Sequence, residues 1–398
     1  MTATTLDEKK QHKLDTARLK KFAQSARRLL KEQVTTKLEQ VLAEGSLASR
    51  NNPKALSDLK EALKKEPKKE VIERVAYTWF NRFSALRFMD LNGYTKILVV
   101  SPLEGQVQPE ILAEAKGGFI DEELVTKKEI REKITGLLNG SITSNDAQSE
   151  AYSLLLVSVC NYYHSTMPYL FERIDDYTEL LMPDDLLSGN SILANTREAL
   201  ATDTCKDLNE EPIVEVIGWL YQYYISERKD EVFAALKKNK KIESADIPAA
   251  TQLFTPNWIV RYLVENSLGR LWMLNKPNSK LKEQMPYYIA STQEEDYLKI
   301  SSPEEIKICD PACGSGHMLV YAFDLLYAIY EEEGYEASEI PTKILQNNLY
   351  GIEIDERAGE LAAFALTMKA RAKYKRFFSK PVQPNICVLE NIDFSEND

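Results

Sequence analysis

From about residue 7 to residue 240, apolar side chains return every three or four positions with little strict alternation, and this spacing predicts a mainly helical region. The clearest helix runs from Val71 to Leu91. Val75, Trp79, Phe83 and Leu86 form its apolar stripe, Arg82 and Arg87 are expected to point elsewhere, and Asn92-Gly93 supplies a stop signal. A second helix, from Ile213 through Val216, Leu220 and Tyr224 to about Leu236, ends in the charged run Lys237 to Lys241. That run, with the loop to Pro248, marks a domain boundary. Segments 95–150 and 180–210 mix apolar runs with Gly, Asn, Asp and Pro and predict no defined element. After Thr251 the pattern alternates helix and strand, as in a parallel α/β sheet. The expected strands are Ile306–Cys309, Leu349–Ile354 and Ile386–Leu389. Between them fall a helix from near Gly316 to about Glu333 and one from Glu356 to Arg371, with Leu361, Phe364, Ala365 and Met368 on one face. The resulting organisation is a helical N-terminal domain over 1–245 and an α/β domain over 246–398.

Composition narrows the class. With 398 residues, 44% hydrophobic and 28% charged, the chain is long and apolar enough to fold with a substantial core. Its five cysteines include no CxxC pair and it has only three histidines, which argues against a metal site and suits reduced thiols in a cytoplasmic protein. No apolar run approaches the roughly 20 residues needed to span a bilayer, so no membrane role is expected. A net charge of −11 disfavours an overall phosphate-binding surface, although a local patch is enough. One such patch runs from Lys9 to Lys31 through Lys13, Arg18, Lys20, Lys21, Arg27 and Arg28, and reads either as a solvated helix face or as a DNA contact.

The strongest chemical signal is Asp310-Pro311-Ala312-Cys313-Gly314-Ser315-Gly316, where the first strand turns into a helix. Such a glycine-rich turn lets a ligand approach backbone N–H groups and a helix N-terminus. A dinucleotide fold would place a third glycine where Leu319 stands, and the carboxylate of Asp310 repels pyrophosphate while attracting an ammonium or sulfonium. S-adenosylmethionine carries both cations and no phosphate, which sets NAD aside. Glu353, in Gly351-Ile352-Glu353-Ile354-Asp355, ends the second strand, where a carboxylate can accept two hydrogen bonds from a ribose diol, and Asp355 is placed to cap the next helix. Asn391-Ile392-Asp393-Phe394 follows the third strand; Asp393 can accept from an adenine amino group and Phe394 can cover the ring. Thr255-Pro256-Asn257 opens a helix from Trp258 to Leu268, with Thr255 as N-cap and Pro256 at its first position, and the same groups can hold a carboxylate.

Taken in order, T-P-N-W-I-V, D-P-A-C-G-S-G-H, L-Y-G-I-E-I-D and N-I-D-F resemble the gamma-type adenine-N6 DNA methyltransferases. More narrowly, A-Y-T-W-F-N-R-F-S-A-L-R-F-M near Ala76 to Met89, I-G-W-L-Y-Q-Y-Y-I-S-E and T-Q-L-F-T-P-N-W-I-V-R-Y-L-V-E-N-S-L-G-R resemble the PglX proteins of the phage-defence system called BREX. The resemblance covers most of the chain from about residue 70. It implies a mainly α N-terminal domain followed by part of a Rossmann-like, S-adenosylmethionine-dependent methyltransferase sheet. It assigns Thr255 to the methionine carboxylate and Asp310 with the Pro311, Ala312, Cys313, Gly314 and Gly316 turn to the methionine part. Glu353 then matches the ribose ligand, Ile354 and Phe394 flank adenine, and Asp393 matches the ligand of its amino group. Double-stranded DNA is the implied substrate and other BREX components are implied partners.

The family's N-P-P-Y motif, which holds the flipped adenine, is absent from the sequence, and no catalytic residue is assigned. The expectation is therefore a fragment that binds S-adenosylmethionine but does not methylate alone, completed by further sequence or by a second chain. An RNA methyltransferase module and a non-catalytic protein binding DNA or a partner are the alternatives.

Overall fold

The structure is a computed structural model and describes residues 16–172, 177–207, 209–242, 246–290 and 296–390. The chain forms two compact units, Met1–Ile213 and Val214–Asp398. None of the described helices is long and apolar enough to cross a membrane.

The first unit is helical. Its longest helix, Thr16–Leu42, buries Leu19, Phe22, Ala26, Leu30, Val34 and Leu38, a stripe at three- and four-residue spacing. This stripe packs on the helix Lys68–Leu91, where Phe22 stacks on Phe80 at 5.8 Å between ring centroids. The latter helix is buried around most of its circumference, which corrects the expectation for Arg82 and Arg87. Arg82 is buried, donates from Nε to the Leu170 carbonyl at 3.3 Å, and lies 5.4 Å from the Trp79 ring centre. Arg87 donates to Leu200 O at 2.9 Å and Ser101 Oγ at 2.7 Å. On an enclosed helix a guanidinium turns to carbonyls and hydroxyls: Arg87 does so through all three of its nitrogens, whereas buried Arg82 bonds through Nε and its Nη1 has no hydrogen-bond partner among the described residues. Gly93, at φ +63°, follows the helix end as its sequence indicates.

Segment 95–150, which carries no clear periodicity, is organised by a side chain outside it. Asp90 is buried and accepts from Val99 N (3.0 Å), Val100 N (2.8 Å), Ser101 N (2.9 Å), Ser101 Oγ (2.7 Å) and Thr95 Oγ1 (3.0 Å). Short helices Glu110–Lys116 and Lys128–Leu138 follow this pinned loop.

In the second unit, β1 (Ile308–Asp310), β2 (Leu349–Glu353) and β3 (Asn385–Val388) form a parallel sheet in the order β1-β2-β3. Asp310 pairs with Gly351, and Gly351 with Ile386. The helices His317–Glu332 and Glu356–Lys373 cover the face that carries Gly351 and Ile386, whereas Cys309 and Cys387 on the other face are exposed. β1 starts later than its apolar pattern suggests. Buried Asn348 takes the carbonyls of Pro303 and Ile306 through its amide at 2.8 Å each, so these residues bond to a side chain and not to a neighbouring strand. The first crossover also contains a helix not expected from the pattern, Ile340–Asn347.

The helix expected over Trp258–Leu268 is interrupted. It runs Asn257–Val264, widens to a π-helical turn over Glu265–Gly269, and resumes as Arg270–Asn275. Fully buried Glu265 sits at this widening, accepting from Tyr321 OH at 2.7 Å and Tyr287 N at 2.6 Å, with Arg261 paired at 3.4 Å.

Replacing Asp90 by Ala strands several buried donors in the 95–101 loop. The free energy of opening at the Val99 to Ser101 amides is expected to fall by about 3 kcal/mol in native-state hydrogen exchange. Unchanged protection there would show that the loop holds itself.

Candidate functional site

The turn after β1 is built on two glycines with positive φ, Gly314 at +54° and Gly316 at +83°. Cys313 N donates to Ile352 O at 3.0 Å, so the turn is laced to β2, and Gly316 N closes back on Cys313 O at 2.8 Å. Gly316 is the N-cap of His317–Glu332 and lies against the following crossover helix, where a Cβ would stand 3.0 Å from Ala362 Cβ. The sequence has Leu319 where a dinucleotide fold has its third glycine, and the structure supplies the missing space from the strand. A Cβ at Gly351 would stand 2.7 Å from Ile386 Cδ1, 2.9 Å from Cys313 Sγ and 3.1 Å from Leu319 Cδ1. Burial and the neighbouring carboxylates of Glu353 and Asp310 push the Cys313 thiol up to about 12, so it stays a neutral packing group.

Asp310 and Glu353 end adjacent strands. Asp310 Oδ1 accepts from Ala312 N at 3.2 Å, and burial, reinforced by the charge of Glu353, holds its carboxyl above the ordinary carboxylate range. Glu353 is more fully bonded: Oε2 accepts from Gly314 N at 2.7 Å, and Oε1 from Ile354 N and Asp355 N at 3.0 Å each. Of the roughly four acceptor positions of a carboxylate, three are taken. A diol therefore finds one position at Glu353, and a second only when Gly314 N–H is released.

The remaining sequence-based candidates are distributed as follows. Pro311 and Ala312 are exposed, Cys313 and Gly316 buried, and Ile354 is 50% exposed just past β2. Asp355 is buried and caps the helix that follows, accepting from Arg357 N at 3.2 Å. Thr255 is not the N-cap: that position belongs to Pro256, whose ψ of 140° keeps it extended, and no side-chain cap bond forms. Asp393 and Phe394 lie outside the described residues. So do Lys9 and Lys13 of the basic stretch, while Arg18 pairs with Asp203 (2.7 Å) and Arg27 and Lys31 pair with Glu73 (2.8 and 2.7 Å).

Sequence reasoning gave no role to an aromatic column beside the turn. Phe254 stacks on His317 at 4.5 Å and meets Trp219 at 4.6 Å. Burial lowers the His317 pKa against the pull of Glu215, so the ring stacks as neutral imidazole. The spacing of Phe254 from Trp219 and His317 carries no helical or strand period, so no pattern flags it.

A parallel sheet with a glycine turn after its first strand and an acidic residue ending its second is an α/β arrangement suited to a nucleoside-containing ligand. The family model for the DNA-methyltransferase domain of MmeI matches residues 293–384. Over most of its length the chain is related to the adenine-specific methyltransferases. It is 43% identical over 340 residues to the adenine-specific methyltransferase BrxX of Escherichia coli O9:H4 (strain HS), covering 82% of this chain and 27% of that protein. It is 37% identical over 439 residues to the adenine-specific methyltransferase PglX of Lacticaseibacillus casei (strain Zhang), covering 96% of this chain and 35% of that one. The chain thus spans about a third or less of the length of these relatives.

The two turn glycines separate conformation from space. No atom would lie within 4 Å of a Cβ at Gly314, so Gly314→Ala is expected to cost only the left-handed backbone penalty, about 1–2 kcal/mol. Gly316→Ala adds a collision with Ala362 and is expected to cost about 1–3 kcal/mol more. Thermal unfolding of both variants tests this, and equal losses would remove the helix contact from the argument.

Proposed function

We propose that the second unit binds S-adenosylmethionine, and that the chain is the cofactor-binding part of a site-specific adenine-N6 DNA methyltransferase of the BREX type of phage defence. The observation that carries the reading is the pair of carboxylates, Asp310 and Glu353, on adjacent parallel strand ends around an N–H-lined glycine turn. In this reading residues 246–398 form the first part of a Rossmann-like methyltransferase domain, preceded by a helical region, 1–245. When bound, the cofactor supplies an electrophilic methyl group. Asp310 and the 311–316 turn hold its methionine part, Thr255 its carboxylate, and Glu353 the ribose diol, with Ile354, Asp393 and Phe394 around the adenine. The cationic sulfonium and ammonium suit Asp310, which among the described residues accepts from one backbone donor, Ala312 N.

Methyl transfer to DNA needs more than this pocket. The adenine amino nitrogen has its lone pair delocalised into the ring, and holding it in line with the methyl is worth roughly 7–11 kcal/mol. The N-P-P-Y residues that do this in the family do not occur in the sequence. Double-stranded DNA is the substrate of the complete enzyme, and other BREX components or a chain bearing that motif are its partners.

Three outcomes follow. Calorimetry is expected to detect S-adenosylmethionine but not NAD, and Glu353→Ala to weaken binding by about 2–3 kcal/mol through unpaired hydroxyl donors. Undiminished affinity in that variant would take Glu353 out of the site. Because the cation favours ionised Asp310, affinity is complete above that group's pKa and is lost as the pH falls through it. That pKa is raised, so the loss sets in above the pH at which an unperturbed aspartate titrates; affinity that stays constant as the pH falls to and through that point would contradict the role of Asp310. Finally, the pure 398-residue chain is expected to transfer no tritiated methyl to bacterial DNA, and incorporation abolished by Asp310→Ala would show that the chain holds a complete active site.

A further inference from the structure

One helix touches every described segment that the proposed pocket uses. Along Glu215–Leu236, Gly218 lies so close to the glycine turn that a Cβ there would stand 2.6 Å from Ser315 Oγ and 2.8 Å from Phe254 Cε2. The next residue, Trp219, abuts Phe254, which precedes Thr255 and stacks in turn on His317, the first residue of the helix after the turn. Two residues on, the buried Tyr221 hydroxyl donates to Asp355 Oδ2, two residues beyond Glu353. Near the far end, Lys229 Nζ donates to Gln252 O at 2.6 Å, tying down the strand of chain that leads to Thr255. Residues 218, 219 and 221 therefore contact three loops that are 38 or more residues apart from one another in sequence, through contacts of very different kinds: a missing side chain, a ring and a hydroxyl.

From this arrangement we propose that Gly218, Trp219 and Tyr221 are positioning residues. The helix that carries them fixes the distance between the Asp310–Gly316 turn, Thr255 and the Glu353 end of β2, and so sets the width of the cofactor pocket. The proposal rests on the reading of that pocket as an S-adenosylmethionine site. It also gives a role to Ile217-Gly218-Trp219-Leu220-Tyr221, which no cofactor contact explains. Neither Gly218 nor Tyr221 touches the ligand in this scheme. Each acts through the loop it holds, and a displacement near 1 Å in such a support is enough to cost up to about a hundred-fold.

The test uses the full 398-residue chain with Gly218→Ala, Tyr221→Phe and Asp310→Ala, reading S-adenosylmethionine affinity by calorimetry and amide exchange at Gly314 to Gly316, Asp355 and Leu366. Gly218→Ala is expected to speed exchange of the turn amides and weaken binding about ten- to a hundred-fold, with protection of Leu366, in the core of Glu356–Lys373, retained. Tyr221→Phe removes a single hydroxyl, and is expected to speed exchange at Asp355 and weaken binding about ten-fold. Should Gly218→Ala also lose protection at Leu366, the conservative Tyr221→Phe decides. Wild-type affinity and wild-type turn exchange in both variants, with binding lost in Asp310→Ala, would overturn the positioning role and leave the cofactor reading standing. Wild-type affinity in Asp310→Ala would instead sink the cofactor reading, and the turn exchange of Gly218→Ala then decides the positioning claim by itself.

Discussion

The α/β unit depends on one absent side chain. Because Gly351 has no Cβ, Cys313 from the turn, Leu319 from the first crossover helix and Ile386 from β3 converge on the same point of β2. That convergence sets how closely the helix His317–Glu332 lies on the sheet, and Gly316 against Ala362 sets how closely the two crossover helices lie on each other. With both spacings fixed, the turn has little freedom left. Gly314 N–H arrives within 2.7 Å of Glu353 and Cys313 N–H within 3.0 Å of Ile352 O, which joins the ends of β1 and β2 into a single surface. A close-packed interior passes such constraints along because its side chains have nowhere to relax.

This route to helix–strand contact explains what the sequence allows a reader to see. The Asp310–Gly316 turn, the acidic end of β2 and the three parallel strands are legible because local chemistry demands them: positive φ needs glycine, and a strand between turns needs a short run rich in apolar residues. Asp355 as a cap is legible for the same reason. The features that were not legible are those decided by distant partners. Arg82 sits on a strongly patterned helix and yet is buried, since enclosure by the rest of its unit removes the polar face on which the pattern relies. Asp90 shapes a loop that begins several residues later, and Asn348 shortens β1 from across the crossover. The π-helical turn at Glu265 answers to Tyr321 and Tyr287, neither of which is near it in sequence.

The basic stretch in the first long helix illustrates the same limit for charge. As a sequence it gathers lysines and arginines within a few turns, which reads as a candidate phosphate-binding face. In the folded unit the acids that meet it come from far along the chain: Glu73 with Arg27 and Lys31, Asp184 with Lys37, Asp203 with Arg18. Arg27 and Glu73 are largely buried and hold two helices together, while the pairs at Asp184 and Asp203 are partly exposed and contribute little to stability. Lys20, Lys21 and Arg28 stay exposed, too few to give the helix a strong positive field. Among the described residues, charge clustered in sequence thus becomes charge distributed in space, much of it taken up by acids of the same unit.

Electrostatics at the strand ends distinguish the two acids of the proposed pocket. Both are carboxylates at the tips of neighbouring strands, but Glu353 has three backbone N–H groups directed at it and Asp310 has Ala312 N. Three backbone N–H groups leave Glu353 about one acceptor position, directional and suited to a hydroxyl, while its charge still acts on Asp310 and Cys313. Asp310 is less compensated and more free to act on a ligand as charge. At an effective dielectric near 20, a unit charge about 4 Å from a carboxylate interacts by about 4 kcal/mol, attractive for a cation and repulsive for an anion. Exchanging one for the other at Asp310 is then worth about 8 kcal/mol before solvent screening. In the proposed reading, that difference lets a single residue favour a sulfonium at a glycine-rich turn of the kind that elsewhere receives pyrophosphate. Selectivity for the cation follows, in that reading, from the charge of Asp310, with Glu353 supplying a directional acceptor.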